Sequence, residues 1–200
     1  MTLADILKQQ RALYTEEFER RVSGYAADIA QVLQPEALYQ GADSQPVRTG
    51  QLKLPARGDI CVTRDNRVVE IARIESPRAL GFEPFQFVWS DATRVALHPF
   101  AWDECLLCIP EPKISIDWSV VARWFEESIE LSLPQAGFDG PAFAVHSMSD
   151  PRETPDGVRF EIDFGTAPVA VFESLLSALA SAGVGLVVIG RAPMQTPSEN

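Results

Sequence analysis

Residues 158–164, Val-Arg-Phe-Glu-Ile-Asp-Phe, alternate apolar and charged side chains at every step. Only an extended strand sorts them cleanly, with Val158, Phe160, Ile162 and Phe164 on one face and Arg159, Glu161 and Asp163 on the other. The run predicts a sheet with one face against a core and one face open, and its flanks extend the pattern. Lys113–Ile116 alternates like a short strand. Asp117 is placed to cap a helix reaching Glu130, along which Trp118, Val121, Phe125 and Ile129 form an apolar stripe. Residues 142–147 read as a strand and 150–157 as a loop. Thr166 is expected to cap a second helix, with Pro168 in its first turn, Gly183 as its stop and a closing strand at 184–189. The order is β-α-β-β-α-β, the ferredoxin-like plan.

Upstream, residues 2–34 read as helix. Thr2 and Asp5 have capping-box spacing, Pro35 ends the run, and Leu3, Leu7, Tyr14, Phe18, Tyr25, Ile29 and Val32 mark a narrow apolar stripe, with Ser23-Gly24 a place to break or bend it. After a polar loop at 41–58 come two hairpin signals, 59–63 with 67–74 and 85–90 with 94–98, and an apolar run at 104–109. The fold class is therefore α+β: an N-terminal helical arm (1–40), a β-rich antiparallel middle (41–112), a C-terminal ferredoxin-like βαββαβ half (113–190) and a flexible tail (191–200).

Residues 167–190 are long and apolar enough to raise a membrane span. Gly183, Gly185 and the β-branched end (Val184-Gly-Leu-Val-Val-Ile189) read better as helix, stop and strand. The helix at 167–182 is apolar around most of its girth, so it needs cover on more than one side, from the rest of the chain or from a second copy. The N-terminal helix is the other route to a homodimer. A start without a basic, unbroken apolar stretch, and an odd count of three cysteines, make a cytoplasmic setting the expectation.

Charge supplies the main functional clue. Of the net −11, residues 1–40 contribute −2, residues 41–100 +1 and residues 101–200 −10. That balance argues against nucleic acid, whose binders neutralise phosphates with Lys and Arg. Acids at Glu126, Glu127, Glu130, Asp139, Asp150, Glu153, Asp156, Glu161 and Asp163 are expected to form an outward-facing surface for a basic protein partner. An immunity-type inhibitor of a basic toxin, or a subunit of a larger assembly, would use such a surface.

Catalytic signals are sparse, so the sequence favours binding over catalysis and assigns no cofactor, no metal and no catalytic residue. Cys105-Leu-Leu-Cys108 has zinc-ligand spacing, but only Cys61, His98 and His146 remain as further Cys or His ligands. In a strand the two thiols would face opposite ways, as core residues. No nucleophile-elbow, zinc-protease, phosphate-loop or dinucleotide motif occurs. The alternative function is a small hydrolase or ligand-binding protein with its site between the β-rich and ferredoxin-like regions, His98 or His146 serving as acid–base. Trp118 is expected in the core, while an exposed Trp124 would favour binding.

Overall fold

The computed structural model describes residues 1–27, 32–65, 67–76, 80–110, 115–129 and 143–191. Among these the chain runs α1 (Leu3–Ala26), β1 (Val32–Leu38), β2 (Arg57–Arg64), β3 (Arg67–Ala72), β4 (Phe85–Ser90), β5 (Thr93–Leu97), β6 (Cys105–Ile109), α2 (Trp118–Ile129), β7 (Ser147–Met148), β8 (Arg152–Thr154), β9 (Gly157–Asp163), α3 (Val169–Ser181) and β10 (Leu186–Gly190). The class is α+β. The expected tail, apart from Arg191, lies outside the described residues, as do Ile29, Glu130, Asp139 and the first half of the strand expected at 113–116.

α1 starts as its sequence dictates: the Asp5 amide donates to the Thr2 hydroxyl and the Thr2 amide donates back to the Asp5 carboxylate, at 3.2 and 2.9 Å. Its buried stripe is Ile6, Leu7, Gln10, Tyr14 and Phe18. It passes through Gly24 and ends at Ala26, eight residues short of the expected end. Val32–Leu38 instead pairs antiparallel with β2, from Val32 opposite Thr63 to Leu38 opposite Arg57. The strand can hold Pro35 because β1 is the edge of its sheet, where a missing amide donor breaks no ladder.

The β-rich middle is divided between two sheets, where the sequence predicted one. The hairpin β2–β3 joins β1 in a three-stranded sheet ordered β1-β2-β3. The second hairpin, β4–β5, joins the C-terminal half in a seven-stranded sheet ordered β4-β5-β10-β6-β9-β7, with β8 also on β9. Inside it, β6, α2, β7, β9, α3 and β10 follow the ferredoxin-like connection, and their strands lie β10-β6-β9-β7 with every pair antiparallel. The plan holds but its first strand is β6. Ser115 and Ile116, the described part of the strand expected at 113–116, are not in a strand. β6 is buried at all five positions, so it lacks the alternation that marks a half-open strand.

The long apolar stretch resolves into α3, a turn at Gly183 (φ +89°) and β10. The Gly183 and Val184 amides close the helix on the Ala180 and Leu179 carbonyls at 3.1 and 3.0 Å. Thr166 does not cap α3. The residue before the helix is Pro168, which makes no side-chain cap, and the Thr166 hydroxyl is used elsewhere. α3 packs against α1, α2 and β4, so its own chain covers its broad apolar girth. Trp124 is part of that cover. It is buried, and its indole N–H donates to Ser174 at 2.9 Å. Trp118 is half-buried, edge-on to Phe160. No described helix is long and apolar enough to cross a membrane.

Candidate functional site

The two sheets meet over a knot of buried polar side chains drawn from six separate segments. Tyr14 comes from α1, Glu36 from β1, Asp59 from β2, His146 from the approach to β7, Asp163 from the end of β9 and Thr166 from the approach to α3. Backbone bonds set the frame: the Arg57 amide donates to the His146 carbonyl at 2.8 Å and the His146 amide to the Asp163 carbonyl at 2.9 Å.

His146, 1% exposed, is clamped at both ring nitrogens. Nδ1 lies 2.6 Å from Asp59 Oδ1 and Nε2 lies 2.9 Å from Glu36 Oε1. Tyr14 donates to the same Asp59 oxygen at 2.8 Å, the Ile74 amide donates to the other, and the Thr166 hydroxyl donates to Glu36. Burial by itself would push the imidazolium down. The hydrogen bonds to Asp59 and Glu36 and the charges of Asp163 and Asp59 outweigh it, lifting His146 to about 10. Burial likewise works against the Asp59 carboxylate, yet His146, the Ile74 amide and Tyr14 hold it below its usual range. At neutral pH His146 is thus a cation donating at both nitrogens and is not available as a base.

Backbone geometry is distorted to build this arrangement. Glu36 adopts φ +52°, a left-handed conformation that costs a side-chain-bearing residue energy. Gly165 sits at φ +50°, where a Cβ would fall 2.3 Å from His146 Cδ2. Only glycine fits there.

Asp163 differs from its neighbours. It is 9% exposed, and its Oδ1 accepts from the Gly165 amide at 2.9 Å. Its Oδ2 lies 3.9 Å from His146 Nδ1 and accepts no hydrogen bond from a described residue. That side chain lines a cleft of about 290 Å³ at the seam of the two sheets, together with Asp59, Asp103, Glu104, Glu161, Arg57 and Arg73. Burial first, then the nearby Asp59 and Asp103 charges, raise Asp163 to about 7 against the opposing pull of His146.

The nine acids expected on one outer face have separate fates. Glu126 pairs with Arg48, and Asp156 pairs with Arg159 at 2.8 Å. Asp150 accepts the Gln51 and Leu52 amides at 2.7 and 3.0 Å. Asp163 is buried, contrary to expectation, because His146 and the Gly165 amide give a carboxylate on that strand end somewhere to go. Glu127, Glu153 and Glu161 are exposed, without an ion pair among the described residues. Glu130 and Asp139 lie outside the described residues. β9 does put Glu161 and Asp163 on one face, as its alternation predicts, and both line the cleft.

The remaining cleft charges are partly engaged. Asp103 accepts from the Ser76 amide at 3.0 Å, and Arg191 lies 3.2 Å from Glu104. Arg57 donates to the Glu36 and Ile129 carbonyls at 2.7 and 2.9 Å, while Arg73 stands exposed at the rim.

Of the two histidines proposed for the seam, His146 lies beneath it, and His98 does not line the cleft. Cys105 and Cys108 are free, buried thiols of β6, three residues apart and so on opposite faces, and burial pushes Cys105 far up. Asp59, His146 and Asp163 present ligand atoms within 4.8 Å of one another and are the residues with the chemistry to hold a cation. His146 Nδ1 and Asp59 already share a hydrogen bond, which a metal would have to replace.

The sequence pointed to Glu161, Asp163 and His146 but missed Tyr14, Glu36 and Thr166 as their partners. Nothing local marks Glu36, which follows the proline expected to end the helix and whose burial depends on the pairing of β1 with β2. Comparisons with protein-family models, curated proteins and solved structures find no match to this chain.

Proposed function

We propose that this chain is a non-catalytic binding protein that receives a cationic group of a basic protein partner in the seam cleft, as an immunity-type inhibitor or an assembly subunit would. The acidic surface anticipated from sequence contracts to this cleft. The observation that carries the reading is Asp163 Oδ2, on a side chain nine-tenths buried, facing the cleft with no donor, beside the unpaired Glu161 on the same strand face. That oxygen opens on the cleft, so its capacity to accept a hydrogen bond is available to a molecule entering there. A guanidinium or ammonium group arriving there supplies the direct hydrogen bond that His146, 3.9 Å away, does not make.

The test is fluorescence anisotropy with a labelled oligoarginine peptide. Binding is expected to weaken as salt rises and to tighten as pH rises through about 7, where Asp163 loses its proton. Glu161→Lys is expected to weaken it by about tenfold or more. Unchanged affinity in Glu161→Lys, or affinity indifferent to salt, overturns the reading.

A second reading, a small hydrolase using Asp163 as general acid–base, is favoured by the near-neutral pKa of that residue. It predicts turnover of an activated ester such as p-nitrophenyl acetate that is abolished in Asp163→Asn. Equal rates in the two proteins reject it.

A further inference from the structure

The three-stranded sheet leaves one face unusually apolar. Directly paired residues on neighbouring strands share a face. The pairings Val32–Thr63–Val68 and Gln34–Cys61–Ile71 therefore form two adjacent rows, linked along β2 by Thr63 and Cys61. Val32, Val68 and Ile71 are 60%, 59% and 52% exposed on these rows. The opposite face of β2 carries Ile60 and Val62, both fully buried. A sheet with one solvated face normally alternates apolar and polar residues; here branched aliphatics stand on both. Val68 and Ile71 stand on adjacent rows of the same strand, and Val32 faces them across the sheet with Thr63 and Cys61 between. The surface also continues into the cleft, because Ile71 and Tyr39 are part of its lining.

We infer that this sheet face and the seam cleft together receive one polypeptide segment, which presents aliphatic side chains next to a lysine or arginine. The aliphatic residues cover Val32, Val68 and Ile71, while the cation enters beyond Ile71 to reach Glu161 and Asp163. Charge complementarity at the cleft and the apolar continuity through Ile71 select this occupant. The inference rests on the proposed function, since the cleft must take a cation, and it adds the chemistry flanking that cation. In an extended segment adjacent side chains point opposite ways, so an alternating sequence offers one kind of side chain to each surface.

Three labelled peptides of equal length test it by anisotropy: alternating Val/Arg, Ser/Arg and Val/Glu. The Val/Arg peptide is expected to bind about tenfold or more tightly than Ser/Arg, and Val/Glu not to bind. Val32→Ser and Val68→Ser, on the sheet face and outside the cleft lining, should erase that margin and leave Ser/Arg binding unchanged, with circular dichroism confirming the fold. Equal binding of Val/Arg and Ser/Arg to the unaltered protein, or a margin that survives both Ser variants, overturns the inference while the cleft reading stands. Absence of binding by both arginine peptides, or indifference of both to Glu161→Lys, overturns the two together. Sedimentation of the peptide-free protein gives the remaining outcome. A dimer abolished by Ile71→Asp assigns the face to a second copy and overturns the inference.

Discussion

His146 and Asp163 lie side by side beneath the same seam and are treated in opposite ways. Around His146 every charge has been answered: two carboxylates hold the two ring nitrogens, and tyrosine, threonine and a backbone amide complete those carboxylates. At Asp163 one oxygen is answered and the other is open to the cleft. A saturated buried cluster locks segments together and has nothing to offer a ligand. An unsaturated one holds binding capacity that the fold has left unused. The contrast separates the structural half of this cluster from the half that can meet another molecule, although the residue types are the same.

His146→Gln attacks the saturated half and carries the largest expected effect. Removing the cation that bridges Asp59 and Glu36 takes a charge-assisted hydrogen bond from each buried carboxylate, a loss of about 3–5 kcal/mol. Chemical denaturation at neutral pH reads it directly. The pH profile adds a sign. The folded-state pKa of His146 is raised from 6.5 to about 10, so its contribution is full below 6.5 and is lost as pH climbs through 10. The alkaline decline of the unaltered protein should be much flatter in the variant. A loss below about 0.5 kcal/mol, the range of ordinary surface changes, would mean that the knot does not hold the sheets together.

Gly165→Ala tests the geometry without touching charge. At φ +50° a side chain is strained, and its Cβ would press into the imidazole ring at 2.3 Å. A loss of about 1–3 kcal/mol is expected from the conformation, with the clash adding to it. Gly183→Ala is the matched control. It has a positive φ of +89° but nothing within 4 Å, so the conformational cost of about 1–2 kcal/mol should stand alone. Equal losses in the two variants would show that the ring can move aside, and that the clamp on His146 is looser than its distances imply.

What could be read from the sequence follows the same division. The alternation of β9, the glycine stop of α3 and the hairpins β2–β3 and β4–β5 are local signals, set by side-chain period and turn chemistry, and they were legible. The sequence puts β6 in the β-rich middle, and 113–116 as the opening strand of the ferredoxin-like half, because a strand buried on both faces has no period to detect. The first three residues of β1 read as the end of the helix because Val32 falls on the stripe of α1, and an edge position in a sheet is a property of partners absent from the local sequence. The cluster was legible only on β9. Glu161 and Asp163 share a face by period, but whether Asp163 points to water or to His146 depends on residues 146 and 59 arriving from elsewhere. Burial of a carboxylate is decided by its partners, so no window along the chain could reveal it.

Asp163→Asn carries the smallest expected loss of stability and decides whether the two halves differ. Burial raises this acid from 3.8 to about 7, so the folded state favours the protonated form. Its contribution to stability is present below 3.8 and disappears as pH rises towards 7, the opposite of a carboxylate held by a salt bridge. Asparagine keeps the shape and carries no charge. Near pH 3.5, below both values, the variant should match the unaltered protein within about 0.5 kcal/mol. At pH 8 it should be the more stable of the two, by up to about 4 kcal/mol, since the rise spans about three units at about 1.4 kcal/mol each. Thermal denaturation at the two pH values measures both differences, with Glu161→Gln as a surface control that moves neither. A cleft carboxylate whose neutralisation stabilises the fold is one that the fold would lose nothing by discarding, so its presence is explained by what the cleft binds. If Asp163→Asn instead destabilises at pH 8, the charge of Asp163 belongs to the His146 clamp, both halves are structural, and the case for a cation in the cleft loses its main support.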